Sequence, residues 1–174
     1  MTDKKIQRKE CLRKRDSLSP EERKEFSQLI CKKLEPYLQN KNILSYSPAG
    51  SEVDVSFIND KYDVAYPVVT GKHEMKAYKD NGKHIMNSYG ILEPDPESNE
   101  EVSKDDLDVI IVPCVGFNEK RMRLGHGGGY YDVYLKDSKV LKIGVAYEIQ
   151  KLDDLIYEDH DIKLDLIITE RNTY

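Results

Sequence analysis

The chain has 174 residues, 34% of them charged and 39% hydrophobic, with a formal net charge of −5. That length accommodates one substantial core, and aliphatic runs that recur along the whole chain exclude a disordered polymer. The acidic balance argues against nucleic acid as the main partner, because a phosphate polymer needs a basic footprint.

Met1-Thr2-Asp3-Lys4-Lys5-Ile6 is charged and has no apolar core segment, so no secretory signal is expected. Residues 3–16 are dense in Lys and Arg and predict a helix. A second helix is predicted from Ser19-Pro20-Glu21-Glu22, where Ser19 can cap, Pro20 fits the first turn and Glu22 occupies the capping-box position. Phe26, Leu29, Ile30, Leu34, Tyr37 and Leu38 then give that helix an apolar face. After Asn40 short apolar runs take over: Ile43–Tyr46, Val64–Tyr66, Met75–Tyr78, Val109–Val112, Leu141–Ala146 and Leu166–Thr169. Residues 109–112 and 166–168 lack alternation, which suits strands covered on both faces. The segment Glu93–Lys104 is acidic, carries two prolines and reads as a surface loop. The fold class expected is α/β, one domain over residues 1–174, with an N-terminal helical pair and a mostly parallel central sheet flanked by helices. No apolar run approaches the ~20 residues a bilayer span needs, so no membrane partner is expected. Cys11, Cys31 and Cys114 are odd in number and lack metal-ligand spacing, which reads as free thiols in a reducing cytoplasm.

The sharpest chemical feature is Arg123-Leu124-Gly125-His126-Gly127-Gly128-Gly129-Tyr130-Tyr131-Asp132. It follows the strand at 109–112 and leads into a short predicted helix, Tyr130–Leu135. Four glycines in five residues let backbone N–H groups approach an anion closely. A helix start adds a positive dipole end, and Arg123 can add a fixed charge. Asp132 lies where a magnesium ligand is useful. A bare glycine run is otherwise a flexible turn, and this one is neither a Walker A sequence nor a dinucleotide fingerprint. Lys4 and Arg8, four residues apart, share a helix face and can clamp a triphosphate or form a solvated charged face. Asp161, in the acidic stretch Glu158-Asp159-His160-Asp161, is either a second metal contact or part of a solvated loop. Glu52 follows the first strand in Ser47-Pro48-Ala49-Gly50-Ser51-Glu52. In a parallel sheet ligands gather there, and a carboxylate can accept paired N–H donors of a polar ring; otherwise Glu52 is a turn carboxylate.

Taken together, these residues resemble the 5-formyltetrahydrofolate cyclo-ligase (methenyltetrahydrofolate synthetase) family over nearly the whole chain. The resemblance is carried by Lys4 and Arg8, Glu52, Gly90-Ile91-Leu92-Glu93-Pro94, Asp108–Pro113, Gly116-Phe117, Arg123–Asp132, Gln150, Asp161 and Ile167–Glu170. It departs at Gly128, where many members carry lysine, at His126, often Arg or Tyr, and at Ile156, usually proline. The resemblance implies an ATP- and Mg²⁺-dependent ring closure of 5-formyltetrahydrofolate by a cytoplasmic enzyme, expected to be a monomer, with reduced formylfolate and ATP as partners. It implies ATP contacts from Lys4, Arg8 and Arg123, Leu124, Gly125, His126, Gly127, Gly128, Gly129, Tyr130 and Tyr131. Substrate contacts are implied for Ser47, Glu52, His126, Gly127, Gly128, Gly129 and Tyr130. Asp132 and Asp161 are implied as metal ligands, and Arg123, Tyr130 and Tyr131 as catalytic residues. Which tyrosine acts is left open, since one of the two can equally be a core-facing aromatic. Two other readings fit a glycine loop on such a sheet: a sugar-phosphate isomerase or CoA-transferase relative without ATP, and a silent folate or nucleotide binder.

Overall fold

Residues that alternate between two apolar faces build the centre of the molecule, and the chain order of the strands decides where its loops converge. The computed structural model describes residues 3–174. Helix α1 (Asp3–Asp16) and helix α2 (Pro20–Leu34) come first. Ser19 caps α2 with a reciprocal capping box to Glu22, as its sequence predicts. Strand β1 (Ile43–Leu44), helix α3 (Ser56–Lys61), β2 (Val64–Gly71) and β3 (Glu74–Tyr78) follow, then β4 (His84–Met86), β5 (Leu92–Pro94) and β6 (Glu101–Val102). The second half runs β7 (Val109–Pro113), β8 (Gly116–Phe117), β9 (Arg123–Leu124), α4 (Tyr130–Leu135), β10 (Leu141–Val145) and β11 (Leu166–Ile168).

Seven strands form the main sheet in the order β11-β10-β7-β1-β2-β3-β6. The pairs from β11 through β2 are parallel, while β2–β3 and β3–β6 are antiparallel. Both faces are covered. Ile43, Val109, Ile111, Ile143, Val145 and Ile168 pack with Ile30 and Leu34 of α2 and Ile58 of α3. Leu44, Ile110, Val112 and Ile167 pack on the opposite side with Tyr134 and Leu135 of α4. Consecutive residues of β7 therefore serve two cores, which is why that run shows no polar alternation. No helix among the described residues is long and apolar enough to cross a membrane.

Three expectations change. Leu29, expected on the apolar face of α2, is exposed, and Cys31 is buried instead. The strand expected at 64–66 runs on to Gly71, because beyond Ala65 it leaves β1 and pairs with β3. Pro67 is tolerated there, since its nitrogen side has no ladder partner to supply. The segment Glu93–Lys104 is not a simple surface loop. It contains β5's end and β6, and Glu93 and Pro94 are buried. The Glu93 carboxylate accepts the Val69 N–H of β2, at 3.2 and 3.3 Å to its two oxygens, and the Asn87 amide at 2.8 Å. That latch holds the β4–β5 hairpin against the sheet.

The strand order fixes the site. From β1 the chain passes to β2 on one side, and from β7 to β10 on the other. The crevice beyond the C-terminal ends of β1 and β7 is the switch point at which α/β sheets bind ligands. Helix α1 closes one side of it. Its inward face is polar in part: Gln7 bonds the Asp154 carbonyl (2.8 Å) and the Ile156 N–H (2.9 Å), and Cys11 packs with Val115, Leu124, Leu152 and Leu155. Lys4 and Arg8, one turn apart, are thereby carried to the crevice.

Candidate active site

The Arg123–Asp132 segment leaves β9 and wraps one wall of a cleft of about 280 Å³, whose other walls are Lys4, Arg8, Pro113, His160 and Asp161. A larger depression of about 640 Å³ runs along α1 between Lys5 and Ser17, shares Arg8 and touches none of the glycine loop. The glycines have distinct reasons to be glycine. At Gly125 a Cβ would sit 2.7 Å from the Arg123 guanidinium, and at Gly128 it would sit 2.6 Å from the Tyr130 ring. Gly127 and Gly129 adopt φ of 101° and 73°, which a side chain disfavours. Gly129 is the N-cap of α4, and α4 has only six residues. The dipole end expected there is consequently small.

Arg123 is nearly buried. Its guanidinium lies over the Tyr131 ring at 5.2 Å, so it acts as a fixed charge beneath the loop. Arg8 donates through Nε to the Gly125 carbonyl at 2.7 Å. Lys4 is ion-paired with Asp161 at 2.7 Å. Asp132 is half-buried, and its Oδ1 accepts the Ile162 N–H at 3.0 Å. This bond joins Asp132 to the neighbour of Asp161 and brings the two carboxylates to one end of the cleft. His126, exposed, reaches Glu52 Oε1 at 3.3 Å, and Glu52 Oε2 accepts the Ala49 N–H at 3.0 Å. Glu52 therefore stands beside the glycine loop and does not line the cleft itself. Ser47 is exposed beyond β1 and makes no side-chain hydrogen bond among the described residues. Gln150 lies away from the cleft surface as a buried bolt, bonding Tyr147, Cys114 and Val115.

Two contacts have no signal in the sequence. Tyr89, at the tip of the β4–β5 hairpin, is hydrogen-bonded to the Tyr130 hydroxyl at 2.9 Å. His73, in the β2–β3 turn, donates from Nδ1 to the Gly128 carbonyl. Both bonds join loops far apart in the chain, 41 and 55 residues respectively, so no local pattern announces them.

Burial pushes the Tyr131 hydroxyl well above its ordinary value, against the opposing Arg123 charge. The bond to Tyr89 raises Tyr130. Both remain neutral O–H donors at physiological pH. The three cysteines are free and buried, and desolvation raises Cys11 to about 11, Cys31 to about 12 and Cys114 to about 11, so none is a ready nucleophile. At Asp161 burial pushes the carboxyl up, but the bond from Lys4, the Glu158 N–H and the Lys4 charge outweigh it and hold it below the ordinary range. A folded-state value below the unfolded one means stabilisation that is present above about pH 4 and fades as pH falls through the lowered value. Asp161→Asn is accordingly expected to flatten the acid limb of a stability–pH curve. An unchanged acid limb would show the pair contributes nothing.

A mostly parallel sheet with a glycine loop, cationic side chains and two carboxylates gathered at its switch point has the architecture of an α/β enzyme. The model of the 5-formyltetrahydrofolate cyclo-ligase family matches residues 1–170. A 5-formyltetrahydrofolate cyclo-ligase of Mycoplasma pneumoniae is 33% identical over 97% of this chain and 99% of its own length. One from Escherichia coli K12 is 26% identical over 90% and 94%. Among solved structures, a 5,10-methenyltetrahydrofolate synthetase of Aquifex aeolicus superposes with a TM-score of 0.86 at 34% identity, covering 99% of this chain and 92% of that one. The M. pneumoniae synthetase superposes with a TM-score of 0.79 at 30% identity, covering 97% and 99%. The chain belongs to the 5-formyltetrahydrofolate cyclo-ligase family.

Proposed function

We propose that this enzyme converts 5-formyltetrahydrofolate to 5,10-methenyltetrahydrofolate at the expense of ATP, in the presence of Mg²⁺, releasing ADP and phosphate. The observation that carries the reading is the cleft itself. Loop 123–132, with Asp132 at its end, lines it together with Lys4, Arg8 and Asp161, and Glu52 adjoins the loop through His126.

The formyl oxygen of an amide-like group is a poor leaving group. Its oxygen attacks the γ-phosphorus of ATP, the bond from that phosphorus to ADP breaks, and the N5 lone pair stabilises the activated carbon. N10 then attacks that carbon and loses its proton, and the C–O bond breaks with departure of phosphate. Such transfers depend on positioning and charge neutralisation, without a protein nucleophile. The N–H groups of the glycine loop, with Arg8 and the charge of Arg123 beneath, would cradle the phosphates. Tyr130 and Tyr131, held neutral, would donate to the formyl or phosphoryl oxygens. Asp132 and Asp161 offer the hard oxygen donors that magnesium prefers. Asp132 has Oδ2 without a protein partner among the described residues, and Asp161 is held ionised, so the donor set fits that ion. When bound, it would neutralise charge on the transferring phosphoryl. Lys4 would then be shared between Asp161 and a phosphate.

Replacing both Lys4 and Arg8 by alanine removes two charge-assisted contacts, worth about 1.5–3 kcal/mol each when well formed. KM for ATP is expected to rise by roughly 10²-fold or more, with folate binding little changed. An unchanged KM would mean that these side chains form a solvated face.

Glu52 would accept paired N–H donors of the pteridine edge. Glu52→Ala is expected to raise KM for formylfolate by about tenfold or more and leave nucleotide binding near wild type. The reverse pattern would mean the two ligand positions are exchanged.

The reaction is tested by ADP release. ADP is expected only when formylfolate is present, one per methenyl product. ADP at the same rate without folate would remove the cyclo-ligase reading.

A further inference from the structure

We propose that His73 is a positioning residue for the glycine loop, holding the Gly128 carbonyl so that the Gly129 N–H is fixed for phosphate. This rests on the nucleotide-binding reading above. A carbonyl only accepts, so the hydrogen bond between them places the proton on His73 Nδ1. Across a planar trans peptide the C=O of one residue and the N–H of the next point in opposite directions, and the chain contains no cis peptide among the described residues. Fixing the Gly128 oxygen on His73 therefore turns the Gly129 N–H away from His73.

The loop needs such an outside restraint. Residues 127–129 are all glycine, and two of them have positive φ, so no side chain of their own limits rotation. The same device operates at the other end of the run. Arg8 Nε holds the Gly125 carbonyl at 2.7 Å, which fixes the direction of the His126 N–H. The loop is thus gripped at both ends, by α1 and by the β2–β3 turn. His73 itself sits at φ 59°, in the left-handed region, which among residues other than Gly is entered mostly by Asn, Asp and His. Its side chain is exposed, packs beside Tyr130 with ring centroids 6.3 Å apart, and makes no other hydrogen bond among the described residues. Its contact with the loop is its one polar engagement there, and no core depends on it.

Two variants separate the donor from the turn. His73→Gly keeps the left-handed turn and removes the donor. His73→Asn keeps the turn and returns an N–H near the Nδ1 position. Amide hydrogen–deuterium exchange over residues 125–130 of the ligand-free protein reads the grip. KM for ATP, against KM for formylfolate and kcat, reads its consequence. In His73→Gly, exchange and KM for ATP are each expected to rise about tenfold, with KM for formylfolate little changed. His73→Asn is expected to return both toward wild type. Unchanged exchange in His73→Gly overturns the proposal. Faster exchange with an unchanged KM for ATP overturns the role in nucleotide binding. If exchange responds as expected but the wild type shows no ATP-dependent turnover, the reaction assigned above fails and the grip stands.

Discussion

Asp132→Asn is expected to remove nearly all turnover while leaving the protein folded. The substitution is isosteric, and the asparagine Oδ1 can still accept the Ile162 N–H that the aspartate accepts at 3.0 Å. What it deletes is a negative charge in the cleft that Asp161 also lines. Charge that develops during phosphoryl transfer is stabilised by groups already in place, and loss of one such group costs roughly 10²–10³-fold in kcat. A carboxylate that orders a metal ion is expected to lie at or beyond the upper end of that range. The measurement is kcat under saturating ATP, folate and Mg²⁺, with the melting temperature as the control. Wild-type turnover in a folded Asn variant would take Asp132 out of the mechanism.

Gln150→Leu is expected to cost stability first and activity second. The Gln150 side chain is fully buried. Its Oε1 accepts the Tyr147 N–H at 2.8 Å, and its Nε2 donates to the Cys114 and Val115 carbonyls at 2.9 and 2.8 Å. Leucine fills a similar volume but leaves a donor and two acceptors stranded in the interior. Each stranded group costs about 1–3 kcal/mol, and a total of at least about 3 kcal/mol is at the severe end for one substitution. In a domain of this size that lowers Tm by on the order of 10 °C. Cys114 and Val115 link β7 to β8, the strands that lead to the glycine loop, so residual activity should also fall. A Tm within a degree or two of wild type would mean that water or a local shift replaces those bonds.

The parts that could be read from the sequence are those whose cause is local. The Ser19–Glu22 capping box lies within one turn, and the helical spacing of Lys4 and Arg8 survives as a shared face at the cleft. The uniformly apolar 109–112 run announces a strand buried on both sides. The glycine run marks the loop because glycine has no substitute where φ is positive or where Arg123 and Tyr130 press close. What escaped was set by distant partners. The extension of β2 depends on its pairing with β3, a partner that the sequence of β2 itself does not name. The β4–β5 hairpin exposes Ile85, Met86, Tyr89 and Leu92 and buries Glu93, the inverse of what hydropathy suggests. Nothing near His73 in the chain points to Gly128. Leu29 faces solvent because at about 3.6 residues per turn it lies on the side of α2 opposite the buried Ser27, Ile30, Cys31 and Leu34.

The central claim is that the formyl oxygen itself takes the phosphoryl group. Purified protein given ATP, Mg²⁺ and 5-formyltetrahydrofolate carrying ¹⁸O in the formyl group tests it directly. The expected result is one ¹⁸O in each inorganic phosphate released, in step with methenyl product followed by its absorbance. Unlabelled phosphate, with the label lost to water while the ring still closes, would contradict the account.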